Sequence, residues 1–183
     1  MGIALVYLHT DGTYCGQLVG NTTPHVALRR TQYDRQREPG FALHMAQQIV
    51  VAKLRNLRVL LQRHRRQGKP DLDEAIAGLE RMEASAGRTR TLHALLGLEG
   101  SATALYFRGY RTLLPEPWQM VRRTRHPPTD PVNALLSLGY TLLGQQALSA
   151  AEAAGLDPYA GFLHQDVYHR PSLALDLTEE FRA

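Results

Sequence analysis

Apolar residues recur every three or four positions along most of this chain and form strand-like runs only near its start. Ile3-Ala4-Leu5-Val6-Tyr7-Leu8 and Tyr14-Cys15-Gly16-Gln17-Leu18-Val19 read as two strands joined at Asp11-Gly12, a hairpin signal. A lone hairpin is marginal in water, so the pair reads as the end of a sheet whose other strands lie outside the chain. After Gly20–Pro24 the period becomes helical, with one segment near 25–37 and a long one from about Phe41 to Arg66. The long segment sets Leu43, Ala46, Ile49, Val50, Leu54, Leu57, Leu60 and Leu61 on one face, with Lys53, Arg55, Arg58, Arg63, Arg65 and Arg66 on the remaining turns.

A short acidic helix is expected over Asp71–Ala86, and another from about Arg88 to Leu114, before Pro115 and Pro117. Asp130-Pro131 starts the next: the carboxylate can cap free amides, and proline fits the first helical position. It should reach Ala154 and stop at Gly155. A loop over 156–170 follows, then Pro171-Ser172 opens a last helix expected to run to Ala183, so that the chain ends mid-helix. The fold class is therefore mainly α: a β-hairpin remnant over 1–20, a linker over 21–25, and a helical domain over 26–183, incomplete at its C-terminus.

The 183 residues are 44% hydrophobic, enough for one buried core. The only cysteine, Cys15, excludes an internal disulfide or a CxxC metal knuckle, and no signal peptide or membrane-length apolar run is present, so the cytoplasm is the expected location. Charge is segregated: residues 24–70 carry +9 and 87–130 carry +4, while 71–86 and 131–183 carry −4 each. That pattern suits a polyanion held over a carboxylate cluster, or equally a set of solvated helix faces that balance one another.

No phosphate-binding GxxxxGK[ST] loop, GxSxG elbow, HExxH or GxGxxG occurs, so the chemistry must be sought in oddly placed carboxylates. Glu99 falls within the apolar stripe Leu92, Leu95/Leu96, Ala102, Tyr106 and needs a cation there, either an arginine or a metal. Gly97 and Gly100 flank it, as expected if another segment approaches the backbone. Asp176, Glu179 and Glu180, at i, i+3 and i+4, put three repelling carboxylates on one sector, which a cation would relieve; a helix N-terminus that favours acidic residues is the alternative. His164 is the nearest imidazole, with His169 its competitor. Oxygen donors with one imidazole suit Mg²⁺ or Mn²⁺.

Four blocks carry a resemblance. Leu96-Gly97-Leu98-Glu99-Gly100-Ser101-Ala102 with Tyr106-Phe107, then Arg125-His126-Pro127-Pro128-Thr129-Asp130-Pro131 through Tyr140, then Gly155-Leu156-Asp157-Pro158 with Gly161-Phe162-Leu163-His164, and Arg170-Pro171-Ser172 through Arg182, closely resemble the Cas1 family of CRISPR-associated endonucleases and integrases. The resemblance implies an N-terminal β domain, an α-helical catalytic domain with a divalent-metal site, and a homodimer assembled on the small Cas2 protein. It implies Glu99, His164 and Glu179 as metal ligands, Asp176 as a supporting or ligating aspartate, and double-stranded DNA, both prespacer and CRISPR repeat, as substrate. The implied reaction is attack of a prespacer 3′-hydroxyl on a repeat phosphodiester, with Mg²⁺ or Mn²⁺ as cofactor. Arg122, Arg123 and Arg125 are expected to hold DNA near the metal. The match begins in the last hairpin of the family's β domain and stops inside the metal-bearing helix, so a DNA-binding scaffold without turnover is the alternative reading.

Overall fold

A computed structural model describes residues 5–18, 25–68, 71–124 and 127–182. The hairpin pairs β1 (Leu5–Leu8) with β2 (Tyr14–Leu18) antiparallel, Leu5 opposite Leu18 and Tyr7 opposite Gly16. Gly12 turns the chain at φ +84°, and the Asp11 carboxylate accepts from the Thr13 amide at 2.9 Å. Among the described elements the hairpin packs against no helix, and Leu5, Tyr7 and Leu18 are exposed. The outer strand residues Ile3, Ala4 and Val19, and the expected linker apart from His25, lie outside the described residues.

Among the described residues six α-helices follow: α1 (Val26–Arg37), α2 (Pro39–Arg66), α3 (Asp73–Ala86), α4 (Leu92–Thr112), α5 (Pro131–Ala153) and α6 (Ser172–Thr178). Pro39 occupies the first turn of α2, so that helix begins before Phe41. Helix α4 begins later than Arg88 because the Thr91 hydroxyl accepts from the Ala94 amide and caps it. The Asp130 cap of α5 forms as expected, accepting from the Asn133 amide at 2.8 Å. Gly155 ends α5 at φ +83°, a conformation open to glycine. The last helix does not run on: α6 gives way at Glu179 to a single 3-10 turn, Glu179–Phe181.

Helix α2 is the axis of the core. Its buried face, Ala46, Val50, Leu54, Leu57 and Leu61, meets Ala75, Ile76 and Leu79 of α3 and Leu95, Ala102, Leu105 and Tyr106 of α4. Each fully buried leucine contributes about 1.5–3 kcal/mol relative to exposure. The 3-10 turn and α6 also pack on α2, while α5 packs on α6. Helix α4 and the 3-10 turn, far apart in sequence, thus meet over the middle of α2.

Candidate active site

Three side chains from three elements converge there. Lys53 lies on α2 between the core residues Val50 and Leu57 and is only 5% exposed. Its ammonium donates to a carboxylate oxygen of Glu99 on α4 and, at 2.5 Å, to Oε2 of Glu179 on the 3-10 turn. One turn on, Asn56 donates to the Glu180 carbonyl at 2.7 Å, so α2 grips both the side chain and the backbone of that turn. Thr103 donates to the same Glu99 oxygen at 2.9 Å, and Arg182 donates to Glu179 Oε1 at 2.6 Å. Burial pushes the Glu99 carboxyl up, but the Lys53 ammonium and the Thr103 hydroxyl outweigh it and hold the group below its ordinary value.

His164 is brought to this pair by a carboxylate. Asp176, fully buried, accepts the amides of Phe162 and Leu163 on one oxygen, at 2.6 and 2.9 Å. Its other oxygen accepts the His164 amide at 3.0 Å and lies 2.7 Å from His164 Nδ1. Because a carboxylate can only accept, Nδ1 is the donor of this pair, and Nε2 is turned toward Glu179, 3.9 Å from its Oε1. The loop can wrap the carboxylate this closely only at glycine: a Cβ on Gly161 would stand 2.7 Å from the Ser172 carbonyl carbon and 2.9 Å from Asp176 Oδ2.

The same loop is clamped from behind by a polar stripe of α1. Arg29 donates to the Gly155 carbonyl; Gln32 donates to the carbonyls of Asp157 and Ala160 and accepts the Asp157 amide. Tyr33 donates to the Asp157 carboxylate, which raises the phenol's pKa, and Gln36 donates to the Gly161 carbonyl. Residues 29, 32, 33 and 36 share one helix face, so α1 acts as a scaffold for the histidine loop.

The expected residues are thus gathered: Glu99, His164, Asp176 and Glu179 form one connected cluster. Several particulars differ from expectation. The cation beside Glu99 is a lysine, not an arginine. Among the described residues no segment approaches within 4 Å of a Cβ placed on Gly97 or Gly100. Glu180 is exposed and stands apart from the buried Asp176 and Glu179. His169 is exposed, at φ 59°, against Tyr168. Part of the positive charge of 24–70 is spent within the bundle, as Arg55 and Arg58 pair with Glu83, and Arg65 with Asp73.

A cavity of about 530 Å³ opens beside Lys53, lined by Arg108, Arg111, Arg122, Arg123 and Arg182 together with Tyr140 and other residues. Arg122 is exposed there. Arg123 is bound to the Asn133 carboxamide at 2.9 Å and to Ser137 at 3.2 Å, with its guanidinium 5.6 Å from the centre of the Tyr140 ring. Arg125 lies outside the described residues. Sequence reading missed Lys53, Arg182, Arg108, Arg111 and the α1 stripe. The one available signal was a lysine flanked by core positions on the α2 face.

The donor set suits a divalent ion: two carboxylates plus an imidazole whose Nδ1 is fixed by a third carboxylate, leaving Nε2 presented. Among the described residues no group of three or more His, Cys, Asp or Glu side chains stands ready around one point, and Lys53 Nζ lies between Glu99 and Glu179.

The comparison with known families decides the lineage, because the family model described as "CRISPR associated protein Cas1" matches residues 1–183. The chain belongs to the Cas1 family. A CRISPR-associated endonuclease Cas1 of Thermus thermophilus is 44% identical over 182 residues, covering 100% of this chain and 53% of its own. A solved Cas1 protein from Thermotoga maritima, 26% identical, superposes with TM-score 0.84 over 98% of this chain and 56% of its own. A chain of a Cas6-RT-Cas1–Cas2 complex, 32% identical, gives TM-score 0.83 over 98% of this chain and 20% of its own. The chain spans about half the length of the Thermus Cas1 relative. The mainly α Cas1 fold expected from sequence is the one observed.

Proposed function

We propose that this chain carries the active centre of a divalent-metal-dependent DNA endonuclease and integrase of CRISPR adaptation. The observation that carries this reading is the junction of Glu99, Glu179 and His164, brought together from distant parts of the sequence and linked through Lys53 and Arg182 to an arginine-lined cavity. Relatives named as Cas1 endonucleases support the nuclease class, and a likeness to a chain of a Cas1–Cas2 complex supports Cas2 as a partner. Homodimerisation follows from the family resemblance.

Glu99, Glu179 and His164 would hold Mg²⁺ or Mn²⁺, which when bound polarises the scissile phosphodiester and stabilises charge on the 3′ oxygen. Asp176 keeps the His164 proton on Nδ1, so that Nε2 faces the site throughout. Arg108, Arg111, Arg122 and Arg182 offer guanidinium donors to backbone phosphates in the cavity, and Arg123 extends that basic edge. The attacking 3′-hydroxyl of a prespacer forms a new P–O bond at a repeat phosphodiester, and the repeat's own 3′ oxygen leaves with a proton. One phosphodiester replaces another, so the transfer needs no external energy source; with water as nucleophile the same centre hydrolyses DNA.

The second reading, a DNA-binding scaffold without turnover, is favoured by the Lys53 ammonium between the two carboxylates. Incubation with branched and double-stranded DNA in Mn²⁺ or Mg²⁺ separates them. Metal-dependent cleavage or strand transfer, abolished in Glu99→Ala, supports the enzyme; salt-sensitive binding with no turnover supports the scaffold.

A further inference from the structure

We propose that Lys53 is the resident cation of the metal centre, and that a divalent ion enters by exchange with its ammonium rather than by addition beside it. This rests on the metal reading above and deepens it. Three observations carry it.

The first is position: Lys53 Nζ donates to both Glu99 and Glu179, the two carboxylates best suited to a shared ion. An ion bridging those carboxylates and an ammonium bridging them claim the same oxygens.

The second is charge. Glu99 and Glu179 pair with Lys53, Glu179 also with Arg182, and Asp176 with His164, so with a neutral imidazole the cluster holds three negative charges and two positive ones. Exchanging the ammonium for a doubly charged ion makes the cluster neutral. Adding the ion while Lys53 stays leaves a buried excess of positive charge, which is costly in a site with Asp176 fully buried and Glu179 2% exposed.

The third is room. Lys53 lines the arginine-rich cavity, so its four-carbon stem has an open volume into which the ammonium can swing. In the metal-free protein the lysine keeps α2, α4 and the 3-10 turn together against carboxylate repulsion. In the loaded protein the released ammonium joins the arginines that face a phosphate backbone.

Two measurements test the exchange. In the wild-type protein, acetylation of amines read by mass spectrometry has a simple pattern, because Lys53 and Lys69 are the only lysines. Lys53 should be protected in EDTA and become reactive in Mg²⁺, with Lys69 and the amino terminus as references; equal labelling of Lys53 in both conditions overturns the exchange. In Lys53→Met, calorimetric titration should show Mn²⁺ binding about tenfold more tightly than in wild type, equivalent to about 1.4 kcal/mol. Binding that is unchanged or weaker in the variant overturns the exchange and leaves the metal site standing. Failure of Mn²⁺ to bind either protein overturns the metal reading, and the exchange with it. The labelling arm needs no substitution, so it decides the matter even where Lys53→Met does not fold.

Discussion

His164 Nδ1 lies 2.7 Å from Asp176 Oδ1, and the same carboxylate accepts three successive backbone amides from Phe162, Leu163 and His164. One buried charge therefore fixes both the path of the loop and the orientation of the imidazole. Replacing Asp176 by Asn removes the charge and puts an NH₂ where the loop presents only donors. Asp176→Asn is predicted to lose about 2–3 kcal/mol in urea denaturation. A change below about 0.5 kcal/mol, within the range of ordinary surface substitutions, would show that the loop does not depend on this carboxylate.

Gln32 exerts a similar hold from the opposite side. It is 6% exposed, and its carboxamide makes three hydrogen bonds of 2.8–3.0 Å to the backbone of Asp157 and Ala160. Gln32→Ala strands those groups, at a cost of about 1–3 kcal/mol. Hydrogen exchange should accelerate over 155–166 more than in α3. Uniform acceleration over the whole chain would contradict a local clamp.

Such contacts mark the boundary of what the sequence could reveal. The three-and-four spacing of Val50, Leu54, Leu57 and Leu61 announces α2 because side chain meets side chain in the core. The Asp130 cap is legible because the bonds it makes are local. The polar stripe Arg29, Gln32, Tyr33 and Gln36 is mute, since most of its partners are backbone carbonyls more than a hundred residues away and leave no residue pattern. Lys53 was hidden for another reason: one residue from Leu54, it reads as the edge of a solvated basic row, and its partners Glu99 and Glu179 come from elements far along the chain. Glu99 was conspicuous for the opposite reason, a charge interrupting an apolar stripe. The glycines beside it suggested a close approach, yet the tight glycine of the site is Gly161, which the resemblance quoted and spacing did not explain.

Stability should also depend on pH through Glu99. Burial raises its carboxyl, and Lys53 and Thr103 more than reverse the effect, so the folded-state value lies below the unfolded one. A depressed carboxylate contributes stability above its unfolded value of about 4.3, and that contribution is lost as pH falls through the lower folded value. The wild-type urea midpoint is predicted to fall below about pH 4.3 more steeply than that of Glu99→Gln, the two curves converging in acid. Parallel curves would mean that the Lys53–Glu99 pair contributes nothing.

On this reading Glu99, His164 and Glu179 hold one divalent ion between them. Anomalous diffraction from crystals grown in Mn²⁺ tests it most directly. A single strong peak is expected within about 2.3 Å of a carboxylate oxygen of Glu99, a carboxylate oxygen of Glu179 and His164 Nε2, with the Lys53 ammonium withdrawn from between them. A peak elsewhere, or no peak at saturating Mn²⁺ with Lys53 still bridging the two carboxylates, would contradict it.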